Sequence, residues 1–336
     1  MLCSIAVRRS ILPVWETPNI ISSGAVFLYF FHFYIMKNRF ARELMGSRDI
    51  RKVSGTKVLA GSKKGPNVGI LCSTHGNEQA PLEVLPIVLD LIKDRLRGNL
   101  MLLMVNPEAF QACKRFLDAD MNRIFTVDGP QGKSLEAQRA REILPVFDEM
   151  DIALDLHTTP TMVGANPFTV IPGKTAGQRQ LAEQLDVDYN VLYPKYINAT
   201  GSTSDAFVAR DKACITLELG YEYDIDVSSQ VFNILRYLVF TRSIPELTLP
   251  KKVFRNKTLD VSQMEFVEDP ETLEFDEGFE QTAFSPISKG QVIARADQQI
   301  YRAREDCYLI FTRDKERFRQ GANTSTEPFV YLAKEV

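Results

Sequence analysis

From about residue 50 onward, short apolar runs alternate with longer segments of helical periodicity. Val68–Ser73, Leu100–Val105, Ile152–His157, Phe168–Ile171, Val191–Tyr193 and Cys214–Leu219 have the length and aliphatic content of core strands. Apolar residues recur at helical spacing over Pro81–Arg97, Ser134–Met150, Thr175–Leu185, Ser202–Arg210 and Val227–Arg242. This alternation predicts an α/β fold with a mixed, mostly parallel sheet flanked by helices. After Pro245 the runs become short and alternating, broken by Gly, Pro, Asn and Asp. The expected organisation is therefore a main α/β domain over 46–246 and a smaller β-rich domain over 247–336.

The first 45 residues do not fit that pattern. Ile20–Met36, "IISSGAVFLYFFHFYIM", is almost wholly apolar and lies between Arg8, Arg9 and Lys37, Arg39, Arg42. Seventeen residues is the lower edge for a membrane span, and Ser22, Ser23 and His32 interrupt it. A membrane anchor, a signal segment and an over-long start upstream of Met36 compete. Positive charge on both flanks gives no orientation, and there is no small-residue cleavage site. The over-long start is the preferred reading, which makes 1–45 an extension and the protein cytoplasmic.

Composition narrows the function classes. The 336 residues are 45% hydrophobic and 25% charged, with a formal net charge of −3, so no basic surplus points to nucleic acid. The five cysteines (Cys3, Cys72, Cys113, Cys214, Cys307) are scattered without CxxC spacing and read as reduced thiols.

Chemistry concentrates where the apolar runs end. His75 and Glu78 stand three apart just past the first strand, in "GILCSTHGNEQAP". Asp155 and His157 close "DIALDLH" on one face of a strand, and Glu218 ends "ACITLELG". Arg115, Asn122 and Arg123 lie in "RFLDADMNRIF". In an open α/β sheet the carboxyl ends of strands converge on one crevice, so two His and two Glu can meet there among basic residues. Two His and one carboxylate, with a fourth position left for water, is the usual ligand set of a catalytic zinc.

Each residue also has a plainer reading. A single His at a strand end is usually just hydrogen-bonded, Glu218 can be a solvated strand end, and lone arginines are commonly surface ion-pair partners. The two His together, each with carboxylates nearby, favour a metal. Asp155 can cap a turn or serve as an acceptor that orients a ligand imidazole, the latter being preferred, and Cys72 fits strand packing better than metal ligation. A serine hydrolase is disfavoured, because no GxSxG occurs and a triad would leave one of His75 and His157 unexplained. Lys289, in "SPISKGQVIA", reads as a β-turn residue rather than a carrier lysine.

In order along the chain, "HGNEQAPLE", "NPEAF", "RFLDADMNRIF", "DLHT" and "TLELG" resemble the succinylglutamate desuccinylase/aspartoacylase family, over roughly residues 66 to 220. "DMNRIF" and "ACITLELG" look closer to the desuccinylase branch. The resemblance implies a zinc-carboxypeptidase-like fold and one Zn2+ per chain, bound by His75, Glu78 and His157. It implies that Glu218 activates the metal-bound water and protonates the leaving amine, and that Arg115 polarises the scissile carbonyl. Asn122 and Arg123 would clamp a substrate carboxylate. The implied partner is a small anionic N-acyl amino acid, succinyl or acetyl, with a zinc metallocarboxypeptidase acting on peptides as the alternative. A membrane partner is expected only if 20–36 is an anchor. A further substrate-fixing arginine of the family has no confident counterpart; Arg210, eight residues before Glu218, is the nearest. The segment "HTTPTMVGANP" matches neither branch closely. A non-catalytic relative would have lost a ligand or Glu218, and none is lost.

Overall fold

The computed structural model describes residues 38–126, 129–159, 165–172, 175–193, 201–319, 324 and 327–336. The hydrophobic segment 20–36 lies outside them. Among the described residues no helix is long and apolar enough to cross a membrane.

The strands are β1 (Thr56–Ala60), β2 (Lys63–Cys72), β3 (Arg97–Met104), β4 (Ile152–Thr159), β5 (Phe168–Ile171), β6 (Tyr189–Leu192), β7 (Ala213–Tyr221) and β8 (Lys257–Glu265). They continue as β9 (Glu274–Phe275), β10 (Pro286–Ile287), β11 (Val292–Ala296), β12 (Gln299–Arg302), β13 (Cys307–Thr312) and β14 (Val330–Glu335). The helices are α1 (38–46), α2 (Pro81–Ile92), α3 (Pro107–Gln111), α4 (Leu135–Phe147), α5 (Ala176–Gln184), α6 (Thr203–Val208), α7 (Val227–Phe240) and α8 (Lys315–Arg319).

One 11-stranded sheet runs β1-β3-β2-β4-β7-β5-β6-β8-β14-β13-β10. Its centre is parallel: β3, β2, β4 and β7 all point the same way. β1 is antiparallel to β3 and β5 antiparallel to β7, so the sheet is mixed. Both faces are covered, which explains why the strands are apolar at nearly every position instead of alternating with polar residues. Val68, Ile70 and Cys72 of β2 pack on one face with Leu85, Ile234 and Leu238 of α2 and α7. Leu71 of β2 and Leu103 of β3 pack on the other with Phe147 and Phe207 of α4 and α6. Those two phenyl rings stack with centroids 4.7 Å apart.

The C-terminal residues extend this sheet. β8 lies parallel beside β6, and β14, β13 and β10 follow antiparallel. Phe284 seals the seam against Phe168 of β5 and Tyr189 of β6, at centroid distances of 5.0 and 4.2 Å. A second sheet, β12-β11-β9, covers a separate core that includes Ile293, Leu309 and Phe329.

The sequence pattern does not anticipate α1, whose Phe40, Ala41 and Leu44 pack into the main core. It also runs α2 five residues too far, to Arg97, because helical periodicity does not mark the turn that ends at Ile92. Cys72, Cys214 and Cys307 are buried free thiols, and burial pushes the Cys72 thiol up to about 12.

Tyr237 of α7 is wholly buried, its hydroxyl 2.9 Å from the Gly69 carbonyl oxygen and 3.2 Å from that of Ile152. It therefore fastens α7 across the β2–β4 pair. Tyr237→Phe removes the donor and leaves the cavity filled, and is expected to cost about 1–3 kcal/mol. A urea midpoint unchanged from wild type would show that the hydroxyl contributes nothing to the fold.

Candidate active site

Because β2, β4 and β7 are neighbours and parallel, their carboxyl ends open on the same side of the sheet. Beyond β2, Ser73 takes a left-handed backbone (φ +53°), and the chain turns into Thr74 and His75. Gly76 then passes so close to α3 that an added Cβ would sit 2.1 Å from the Ala109 carbonyl carbon. Only glycine fits there, and it seats His75 beside Glu78. His157 of β4 and Glu218 of β7 are register partners on adjacent strands, both at the sheet's carboxyl edge.

His75, Glu78 and His157 are all buried, and their ligand atoms lie within 4.8 Å of one another. Nδ1 of His75 is 2.7 Å from one Glu78 oxygen, and Nδ1 of His157 is 2.9 Å from the other. The far nitrogen of each ring meets its own carboxylate: Nε2 of His75 is 3.0 Å from Asp120, and Nε2 of His157 is 3.1 Å from Asp155. Asp155 is further held by the hydroxyls of Thr74, at 3.1 Å, and of Thr203. Burial opposes the charge on Glu78, but the two imidazoles hold its carboxyl well below the usual range. Burial likewise opposes charge on His157, and Asp155 and Glu78 override it, raising the imidazole well above its ordinary value.

The segment after α3 brings the basic residues. Arg115 donates from Nη1 to Glu78 at 3.1 Å, and from Nε and Nη2 to Asp120 at 3.3 and 3.2 Å. Asp120 caps a 3-10 turn, Met121–Arg123, by accepting from the Asn122 N–H at 2.9 Å. Asn122 accepts from the Thr203 N–H at 2.9 Å through its side-chain oxygen, so its amide NH2 group is the end left for other contacts. The turn packs on Gly201, where a Cβ would come within 2.7 Å of the Arg123 carbonyl.

Glu218 differs from Glu78. Its side chain is buried, one carboxylate oxygen has no hydrogen-bond partner, and burial raises its pKa to about 8 against the opposing pull of His157. It faces a cavity of about 320 Å3 whose walls include His75, Glu78, Arg115, Asn122, Arg123 and His157. Every site residue expected from the sequence thus borders one space. Arg210 does not: it lies on the outer surface, 2.8 Å from Asp148. Glu222 is occupied elsewhere, accepting from the Gln79 and Ala80 N–H groups and from the Thr158 hydroxyl at 2.6 Å. Lys289 sits in a turn completed by Gly290 at φ +82°.

Sequence reasoning missed three contributions. Asp120 was visible in "RFLDADMNRIF", but only tertiary contact reveals its role against His75. Glu136, at the start of α4, reads as an ordinary first-turn acid. In the fold it is buried and accepts from the N–H groups of Leu117, Asp118 and Ala119 at 2.7, 3.1 and 3.1 Å, bracing the loop that carries Arg115. The C-terminal region supplies Gln281, Phe311, Arg313 and Arg317 to the cavity wall, and no motif marks them.

Residues 64–241, more than half of the chain, match the family model of the succinylglutamate desuccinylase/aspartoacylase catalytic domain. The chain is 32% identical over 166 residues to a succinylglutamate desuccinylase of Serratia proteamaculans, covering 44% of this chain and 49% of that one. It is also 32% identical over 111 residues to an aspartoacylase of Danio rerio, covering 29% of this chain and 35% of that one. These matches span half or less of those relatives' lengths. The fold is similar to the crystal structure of a succinylglutamate desuccinylase from Vibrio parahaemolyticus, with a TM-score of 0.68 at 18% identity, over 88% of this chain and 95% of that one. The chain belongs to the succinylglutamate desuccinylase/aspartoacylase family.

Glu136→Ala leaves three backbone N–H groups without their acceptor and is expected to cost about 1–3 kcal/mol. Glu136→Gln keeps a carbonyl oxygen in place and should lose less. Urea midpoints of the two variants measure both; equal midpoints at the wild-type value would remove Glu136 from its bracing role.

Proposed function

We propose that this chain is a zinc-dependent hydrolase that removes an acyl group from an N-acyl amino acid. The observation that carries the reading is Glu78, a buried carboxylate with the Nδ1 atoms of two imidazoles aimed at its two oxygens. The donor set fits a metal. Asp120 and Asp155 each accept at an Nε2, which fixes the proton there and leaves the Nδ1 lone pairs of His75 and His157 turned toward Glu78. Without a cation, protons must fill the same gap, as the raised pKa of His157 reflects. Two imidazole nitrogens and one carboxylate suit zinc. A zinc ion bound there would act as a Lewis acid and lower the pKa of a water ligand from 15.7 toward ~7.

The chain's own residues then divide the work. Glu218, with a free carboxylate oxygen, accepts the proton of the attacking water and returns it to the departing amine nitrogen. Its pKa of about 8 belongs to the metal-free site; positive charge at the neighbouring cluster lowers it toward the range a general base needs. Arg115 donates to the carbonyl oxygen as negative charge develops there. The NH2 group of Asn122 and the guanidinium of Arg123 hold a substrate carboxylate. Relatives named succinylglutamate desuccinylase and aspartoacylase support an N-acyl amino acid as substrate. A cavity of about 320 Å3 lies at the small end for ligand sites and suits such a molecule better than a peptide.

The test is a panel of N-succinyl amino acids, N-acetyl amino acids and peptides, assayed for amine release with the zinc-loaded protein. Cleavage confined to the N-acyl amino acids is expected; cleavage of peptides alone would make the protein a carboxypeptidase. Glu218→Gln should keep its zinc and its fold and lose roughly 10²–10⁴-fold in turnover, because the amide is isosteric but carries no transferable proton. Near-normal turnover would move the base elsewhere.

His157→Ala should purify without stoichiometric zinc and without activity, as measured by atomic absorption and by the same assay. A variant still holding one zinc per chain would exclude His157 as a ligand.

A further inference from the structure

Four guanidinium groups border the cavity: Arg115, Arg123, Arg313 and Arg317. Arg115 and Arg313 are held by protein acceptors, and Arg123, whose buried Nε has no hydrogen-bond partner, is the one assigned above to the first substrate carboxylate. Arg115 is bound to Glu78 and Asp120. Arg313 lies over the Tyr331 ring at 5.0 Å, 3.2 Å from Glu327, and donates to the Pro328 carbonyl at 2.7 Å. Arg123 donates to the Asn122 carbonyl at 2.6 Å, with Glu327 4.0 Å away.

Arg317 is different. Its side chain is only 15% exposed, yet its guanidinium makes no hydrogen bond among the described residues. The nearest carboxylate, Asp120, is 3.9 Å away and already serves His75 and Arg115. Burial and the charge of nearby Arg115 lower the pKa of Arg317 to about 10, the effect of a cation enclosed without a full counter-charge. Asp314, one turn earlier, is committed to the Arg317 backbone N–H at 2.9 Å and does not neutralise the side chain by hydrogen bonding. A buried cation is costly unless an anion pairs with it. The cavity holds this one facing the space where substrate would sit, on the wall opposite in origin to the metal-ligand strands: α8 of the C-terminal region.

We propose that Arg317 takes a second substrate carboxylate, making it a specificity-determining residue that selects N-acyl amino acids carrying an anionic group beyond the one held by Asn122 and Arg123. This rests on the deacylase reading above. The second carboxylate can come from the acyl group or from the amino-acid side chain, and guanidinium binds either bidentately.

Three substrates separate the sources: N-acetylalanine, with one carboxylate; N-succinylalanine, with a second on the acyl group; and N-acetylglutamate, with a second on the side chain. Arg317→Gln should raise KM about tenfold or more for whichever doubly charged substrate uses the subsite, with kcat little changed. N-acetylalanine should stay within about twofold of wild type, and Arg317→Lys should recover part of the loss. Equal losses on all three substrates, or no loss on any, would overturn the proposal. Calorimetry on the same proteins asks the question without turnover. Wild type should bind succinate or glutarate more tightly than butyrate, and Arg317→Gln should erase that preference. A preference that survives in Arg317→Gln overturns the subsite even if the chain is a deacylase. A preference that Arg317→Gln does erase, in a protein that hydrolyses none of the panel, overturns the deacylase reading and leaves the subsite standing.

Discussion

A buried carboxylate between two imidazoles sets the terms for the rest of this molecule. Glu78 accepts from, or faces, His75, His157, Arg115 and the Thr158 N–H, all within 3.3 Å. Those groups come from the turn after β2, the loop after α3 and the end of β4. A charge enclosed this way costs several kcal/mol unless its partners are already in place. The parallel centre of the sheet brings the strand ends together, and the loops complete the ring of donors. Carboxylates alternate with nitrogen groups along the chain of contacts: Asp155, His157, Glu78, His75, Asp120, Arg115. Removing one member strands the next, so the cluster holds its geometry as a unit.

That same network defines Glu218 by exclusion. Two buried glutamates border one cavity, and their environments move them in opposite directions. Glu78 is held ionised by the imidazoles, whereas Glu218 is driven up to about 8 by burial, with an oxygen left unpartnered. Paired titratable groups pushed apart by their surroundings are the usual physical mark of divided roles. An ionised carboxylate suits a cation and one that titrates near neutrality suits proton transfer, which is the division of labour proposed for Glu78 and Glu218. Register makes the division spatial as well, since His157 and Glu218 sit side by side on β4 and β7.

How far the sequence revealed this depends on whether a residue's role is local. The strand ends were legible because apolar runs stop abruptly at His75, His157 and Glu218, and parallel strands share a carboxyl edge. Period-2 alternation put Asp155 beside His157, and the contact is 3.1 Å. Glu136 was opaque: its partners are backbone N–H groups 17 to 19 residues earlier, and nothing in "SLEAQR" distinguishes it from a solvated first-turn acid. α1 was hidden because an apolar segment precedes it and its own pattern is short. Arg317 was hidden for a third reason. "DKERFRQ" is a charged run of the kind that usually faces solvent, and only the folding of the C-terminal region turns one of its arginines inward.

Continuity of the sheet explains how a residue so late in the chain comes to face a site built from strands that lie far earlier in it. β8 hydrogen-bonds to β6 in parallel register, β14 follows β8, and β13 follows β14. Thr312 ends β13, Arg313 and Asp314 follow, and α8 begins at Lys315. The position of Arg317 is thereby tied, strand by strand, to the sheet that positions His157 and Glu218. Phe284 and Phe311 pack on Phe168 of β5, itself the register partner of Glu218, so the seam is filled at the level of the site. His75, Glu78, His157 and Glu218 come from the carboxyl ends of β2, β4 and β7, Arg115 from the loop after α3, and Arg317 from α8, beyond the added strands. Arg317 and the other groups share no hydrogen bond, and their direct link is the 3.9 Å approach of Arg317 to Asp120. The Glu78 cluster and the Arg317 guanidinium thus reach one cavity from different parts of the same sheet.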